Sequence, residues 1–275
     1  MGSRWEVQMS ALERLVADVL KDVAAREAIV SFQEIKARSR DTDNTRDGYR
    51  ALLRNGCSVI AEIKRAVPGR TLIADTAPIA HLAHEFEEGG AHLIACQTER
   101  LRFHGSLTDM RVAREAVQVP MFCRDIILDP YQIHEARCYG ADLVPLQVEL
   151  LDQNRLVSLL DRIESLGMTA VLEVRSPAEA DRAMDAGARV VAVNARPLVG
   201  GDVDKQLFAD IAPGLPESTV RIALSGVHSP RDLLAYAAAG ADAVVVGEEL
   251  MTAEDPARLT RTLVATGQHP SCPSR

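Results

Sequence analysis

Short apolar runs alternate along the chain with longer stretches in which apolar residues recur every three or four positions, and the alternation repeats eight times. The runs fall at 58–64, 92–96, 120–123, 142–147, 169–174, 189–194, 219–225 and 242–247. They are largely continuous rather than alternating, as parallel strands covered on both faces require. A Gly-Ala dipeptide introduces every second run, at Gly90-Ala91, Gly140-Ala141, Gly187-Ala188 and Gly240-Ala241, with intervals of 50, 47 and 53 residues. Each interval is about the length of two strand–helix units, so the pattern predicts an α/β chain folded as a (β/α)₈ barrel in four quarter-turns. The glycine has a physical job, because a helix closing over 84–88 needs a left-handed residue at its end, which glycine adopts without a Cβ clash. An open doubly wound sheet would not normally need eight evenly spaced units in one domain.

Ahead of the first run, residues 9–28 carry Leu12, Leu15, Val16, Val19, Leu20 and Val23 at helical spacing. They predict an amphipathic helix lying on the barrel. Residues 38–47 are charged and lack apolar periodicity, which reads as a linker. The chain thus divides into a helical extension over 1–55, a barrel over 56–266 and a loose tail over 267–275 with Pro270 and Pro273. A length of 275 residues suits one barrel of roughly 250 residues plus such an addition.

A net charge of −8 gives no basic patch for nucleic acid. No apolar segment reaches the roughly 18 residues of a membrane span, and the N-terminus lacks the apolar stretch of a signal peptide. The expectation is a cytoplasmic protein, most simply a monomer. Cys57, Cys96, Cys123, Cys138 and Cys272 are odd in number, scattered and without a CxxC pair, so they predict neither a disulfide framework nor a zinc site. His81 and His84 share a helix face with Glu85, Glu87 and Glu88, which reads as solvated rather than metal-binding. Neither metal nor cofactor is implied.

In such barrels the chemistry lies where the strands end. Those ends are unusually polar here: Glu62 and Lys64 on one side of the first strand, Glu173 on the fifth, Asn194 and Arg196 at the sixth, Ser225-Gly226 at the seventh. Burying charges in a barrel costs several kcal/mol unless they are paired, so they are candidates for proton transfer as well as for a structural ion pair. Gly226 and Gly247 follow the last two strands, where backbone N–H groups and a short helix hold phosphate in many barrels; the alternative is two ordinary turn glycines.

The residues resemble indole-3-glycerol phosphate synthases, barrels of tryptophan biosynthesis, from about Leu12 to Leu263. The resemblance rests on Ile60-Ala61-Glu62-Ile63-Lys64-Arg65-Ala66, on Asp125-Ile126-Ile127-Leu128-Asp129-Pro130-Tyr131-Gln132, on Leu172-Glu173-Val174, on Asn194-Ala195-Arg196 and on Gly247-Glu248-Glu249-Leu250-Met251. It implies ring closure of 1-(2-carboxyphenylamino)-1-deoxyribulose 5-phosphate with loss of carbon dioxide and water, without a cofactor. By the match Lys64 and Glu173 would carry protons and Glu62 and Asn194 would orient the substrate. Arg196, Ser225, Gly226 and Gly247 would hold the phosphate, and Phe103 would pack near the aromatic ring; alone it would be read as a core phenylalanine. A mobile lid is expected over 64–71.

The chain departs from the family pattern around this mouth. The family's Arg-Lys-Asp-Phe is Cys123-Arg124-Asp125-Ile126, so the residue at the position of the main general acid is Arg124. A guanidinium with pKa above about 12 can stabilise an oxyanion but donates protons poorly near neutral pH. The family's Glu-Ser-Gly is Leu224-Ser225-Gly226, its Ser-Pro-Ser is Val67-Pro68-Gly69, and a leucine pair is Pro145-Leu146. Three readings follow: the family reaction with a modified acid step, a relative acting on a different phosphorylated aminoketose, or a barrel that binds without catalysis. The retained Glu62, Lys64 and Glu173 speak against the last.

Overall fold

The computed structural model describes residues 9–67, 70–73, 77–270 and 272. Its eight parallel barrel strands are β1 (Ser58–Ile63), β4 (Leu93–Gln97), β5 (Met121–Arg124), β6 (Leu143–Gln147), β7 (Thr169–Val174), β8 (Val190–Asn194), β9 (Val220–Leu224) and β10 (Ala243–Val246). They close in the order β1-β4-β5-β6-β7-β8-β9-β10, with β10 pairing back to β1. A two-stranded antiparallel hairpin, β2 (Ala66–Val67) and β3 (Arg70–Thr71), stands apart in the loop after β1. This ordered pairing lies within the segment expected to be a mobile lid; Pro68 and Gly69 fall outside the described residues.

Two apolar shells explain the continuous runs. Ile60, Leu93, Phe122, Leu143, Val171, Val190, Ile222 and Ala243 fill the barrel interior, while Val59, Ile63, Ile94, Val144, Leu172, Val191 and Val244 face the helices. A strand buried on both sides has no polar face to alternate. Gly90, Gly140, Gly187 and Gly240 have φ of +88°, +89°, +87° and +95°, so each Gly-Ala turns the chain from helix into strand through a left-handed residue.

The N-terminal segment forms α1 (Ala11–Glu27), α2 (Phe32–Arg38) and α3 (Gly48–Leu52). A reciprocal cap between Ser10 and Glu13 starts α1, which buries Leu15, Val19 and Val23. The stretch read as a linker is tied down: Thr45 Oγ1 donates to Gly167 O at 2.7 Å, and Arg46 N donates to Asp142 Oδ1 at 2.7 Å. Beyond it, Leu52 is fully buried in the barrel interior, so α3 plugs the N-terminal end of the barrel. At the other terminus, the last helix, Pro256–Gly267, runs one residue into the expected tail. Gly267 O accepts from Cys57 N at 2.8 Å and Cys272 is buried, so this part of the tail packs rather than hangs loose. Residues 271 and 273–275 lie outside the described residues. Among the described residues no helix is long and apolar enough to cross a membrane.

Candidate active site

Alternation along the strands carries the barrel's inward layers toward its C-terminal rim, and the uppermost layer is polar. Gln97 pairs in register with Arg124, Gln147 with Glu173, and Asn194 with Leu224, while Glu62 is the last but one residue of β1. Six of these seven residues are polar, and Leu224 is the apolar exception, continuous with the barrel's interior packing.

All ten residues singled out in the sequence line one cavity at this rim: Glu62, Lys64, Phe103, Arg124, Glu173, Asn194, Arg196, Ser225, Gly226 and Gly247. Their charged groups form a chain. Lys64 Nζ is ion-paired with Glu62 Oε2, and Glu62 Oε1 lies 3.5 Å from Arg124 Nε. Arg124 Nη1 donates to Glu173 Oε1, and Asn194 Nδ2 donates to Glu173 Oε2 at 3.5 Å. Asn194 Oδ1 accepts from Ser225 Oγ at 3.2 Å and from Arg196 N at 3.1 Å. Burial pushes the Glu62 carboxyl up, but Lys64 and Arg124 outweigh it and hold the group below the usual carboxylate range. Burial likewise opposes the charge on Arg124, and Glu173 and Glu62 reverse the balance, so this guanidinium stays protonated. Arg124 is thus a fixed positive charge between two carboxylates.

Backbone geometry makes the opposite side of the rim. Ser225 is left-handed at φ +70° and Gly226 at +87°. Such a conformation costs a non-glycine residue of order 1–3 kcal/mol, and Tyr236 holds it by donating from its hydroxyl to Ser225 O at 3.0 Å. A Cβ on Gly247 would lie 2.5 Å from Glu62 Oε2 and 2.6 Å from Lys64 Cε, so glycine there makes the space that the Glu62–Lys64 pair occupies.

The loop after β5 is fixed by the residues that carried much of the resemblance. Gln132 Oε1 accepts from Leu128 N at 2.9 Å and Asp129 N at 3.1 Å, and Gln132 Nε2 donates to Ile126 O at 2.7 Å. The Asp129-Pro130-Tyr131-Gln132 run is therefore a capping device for the helix Pro130–Cys138 that sets the loop beside Arg124. Asp125 is half-buried, accepts from Thr98 Oγ1 at 2.6 Å, and is pushed by desolvation up to about 6.

Several cavity residues went unread in the sequence. Gln97 and Gln147 close their strands as lone amides, a signal that was present in the apolar runs. Arg102 lines the cavity from the helix Arg100–Phe103 and reaches Leu198 O at 3.3 Å; nothing in its local pattern marks it. Arg175 Nη1 donates to Asn194 O at 2.5 Å, holding the residue that holds Glu173.

A barrel whose rim joins paired acids and bases to a strained backbone concavity has the form of an α/β-barrel enzyme's site. The profile of the indole-3-glycerol phosphate synthase family matches residues 12–263. A protein named indole-3-glycerol phosphate synthase from Mycobacterium sp. (strain KMS) is 53% identical over 264 residues, covering 96% of this chain and 97% of its own length. One of the same name from Rhodococcus opacus is 51% identical over 265 residues, covering 96% and 98%. Among solved structures, thiamine phosphate pyrophosphorylase from Pyrococcus furiosus superposes with a TM-score of 0.59 at 18% identity, over 80% of this chain and 97% of that one. The N-acetylmannosamine-6-phosphate 2-epimerase of Clostridium perfringens gives 0.59 at 16% identity, over 76% and 93%. These last two share the fold. The chain belongs to the indole-3-glycerol phosphate synthase family, a family of barrel enzymes of tryptophan biosynthesis.

Proposed function

We propose that this chain is a carboxy-lyase that closes the pyrrole ring of 1-(2-carboxyphenylamino)-1-deoxyribulose 5-phosphate. The observation that carries the reading is the Lys64–Glu62–Arg124–Glu173 chain buried at the rim of a family barrel. The ring carbon that bears the carboxylate attacks the ketone carbon, and the ketone oxygen takes a proton. The bond to carbon dioxide then breaks and its electron pair restores the ring. Finally the hydroxyl leaves as water and a proton leaves the adjacent carbon.

Lys64 is the proton donor in this scheme, because its ion pair with Glu62 holds the ammonium at the cavity. Arg124 stabilises the developing oxyanion without giving up its proton. Glu173, held by Arg124 and Asn194, takes the proton that leaves carbon. Arg196, Ser225, Gly226 and Gly247 supply the phosphate end and Phe103 a face for the aromatic ring.

A second reading has its own support: Arg124 is clamped by two carboxylates, and Leu224 places an apolar group among the polar residues of the rim. Both are compatible with a different phosphorylated aminoketose. The test is to mix the protein with the anthranilate-derived substrate and follow indole fluorescence beside Lys64→Ala. Product from the native protein, with at least a hundredfold loss in the variant, supports the first reading; no product with the reduced substrate analogue still bound supports the second.

A further inference from the structure

Gln147 closes β6 inside the barrel, is 3% exposed, and lines the cavity between Arg124 and Glu173. Its Nε2 donates to Asp125 O at 3.0 Å, which fixes the amide, since a backbone carbonyl can only accept. The other end, Oε1, is buried with no hydrogen-bond partner. An unsatisfied buried acceptor is costly, and one at a cavity wall is satisfied when a ligand brings a donor.

The neighbouring cations do not serve it. Arg124 is ion-paired with Glu173 and Glu62, and Lys64 with Glu62; Arg124 Nε makes no hydrogen bond, but it faces Glu62 Oε1 at 3.5 Å and not Gln147. Glu173, its register partner on β7, is itself an acceptor. A bound molecule that carries a donor satisfies it.

Topology says which part of the molecule that is. The closed order β1-β4-β5-β6-β7-β8-β9-β10 sets β6 diametrically across the barrel from β10. Ser225, Gly226 and Gly247 follow β9 and β10, so a substrate whose phosphate rests there presents its opposite, aromatic end toward β6. On the substrate of the proposed function, the aromatic end offers one hydrogen-bond donor, the arylamine N–H; the ionised carboxylate only accepts.

We propose that Gln147 Oε1 accepts the arylamine N–H of the substrate and is a specificity-determining catalytic residue; the assignment rests on the substrate reading above. As the ring carbon attacks the ketone, the nitrogen lone pair is drawn into the ring and the nitrogen gains positive charge. Its N–H then becomes a better donor, so the hydrogen bond strengthens in the transition state more than in the ground state. The amide supplies an acceptor for the amine on a rim where Leu224 offers none. It also rejects a substrate with an ether oxygen in place of the amine, because two acceptors would then face each other.

The experiment compares two non-reacting ligands in which the ketone is reduced to an alcohol, one with the arylamine N–H and one with an ether oxygen in its place. Their dissociation constants are measured by calorimetry on the native protein, Gln147→Met and Gln147→Glu. The native protein should prefer the amine by about fivefold or more, the size of one neutral hydrogen bond. Gln147→Met should bring the ratio near one, and Gln147→Glu, which keeps an acceptor, should retain the preference. The ratio is internal to each protein, so a general loosening from the lost Asp125 contact leaves it unchanged. An unchanged amine preference in folded Gln147→Met overturns the assignment, as does loss of the preference in Gln147→Glu should the methionine variant not fold. Failure of the native protein to bind either ligand overturns the substrate reading itself and this assignment with it.

Discussion

At the scale of single residues, the rim is a balance of buried charges in which one substitution alters the chemistry more than the fold. Arg124 is nearly enclosed and ion-paired with two carboxylates that hold it protonated, so it contributes field rather than protons. Lysine at the same position would keep the charge between Glu62 and Glu173 and add a group able to release a proton. On the anthranilate-derived substrate, Arg124→Lys should therefore raise turnover at pH 7 by about tenfold, read from the rate of indole fluorescence, since a positioned acid contributes about 10²–10⁴ and Lys64 already supplies part of it. A fall instead would mean that the guanidinium fork recognises a different substrate. Glu62, Lys64, Glu173 and Asn194 were legible in the sequence because each interrupts or ends an apolar run where a barrel has no packing use for it. Gln147 carried the same signal more weakly, since an uncharged amide ending a strand reads as an ordinary boundary. Arg102 and Arg175 carried none, because their significance lies in contacts between loops far apart in the chain.

At the scale of elements, strands were legible and short helices were not. Strands buried on both faces leave a continuous apolar mark, and the glycines that end the helices punctuate it. The helix α3 has only five residues, and its identity comes from tertiary packing: Leu52 enters the barrel floor, and a Cβ on Gly48 would collide with Leu143. Propensity over so short a window is weak. The hairpin of β2 and β3 was hidden for the same reason, each strand having two residues. As Leu52 is completely buried, Leu52→Ala should cost about 2–5 kcal/mol through the lost transfer term and the cavity left behind. The checking measurement is the denaturant midpoint. The polar rim lies at the far end of the barrel, so turnover at 25 °C should stay within about twofold of the native value; a larger loss would mean that the floor and the rim are mechanically coupled.

For the whole molecule, stability against pH is set by buried groups pulling in opposite directions. Burial pushes Glu135 up to about 7, against the pull of Arg26, and Asp125 up to about 6. A carboxyl whose folded pKa exceeds its unfolded value binds more protons folded than unfolded between the two, so these groups add stability as pH falls from about 7 toward 4. His134, pushed by burial down to about 4, acts the other way: the unfolded chain takes up its proton first, and stability is lost as pH falls from about 6.5 toward 4. The two carboxyls outweigh the one histidine, so the native protein should gain melting temperature modestly as pH falls from 7 to 5. Glu62, held low by Lys64 and Arg124, loses its contribution only below the usual carboxylate range. Glu135→Gln removes one side of the balance while keeping a polar group beside Arg26, whose Nη2 lies 3.2 Å from Glu135 Oε2. That variant should be more stable than the native protein by about 2 kcal/mol at pH 8, a few degrees in melting temperature, and should lose the advantage near pH 4.5. Calorimetric scans of the two proteins across this range decide the matter. Parallel curves would mean that Glu135 is ionised at ordinary pH through its pairing with Arg26, which would make the contact between α1 and the helix Pro130–Cys138 a true ion pair and the N-terminal helix correspondingly harder to detach from the barrel.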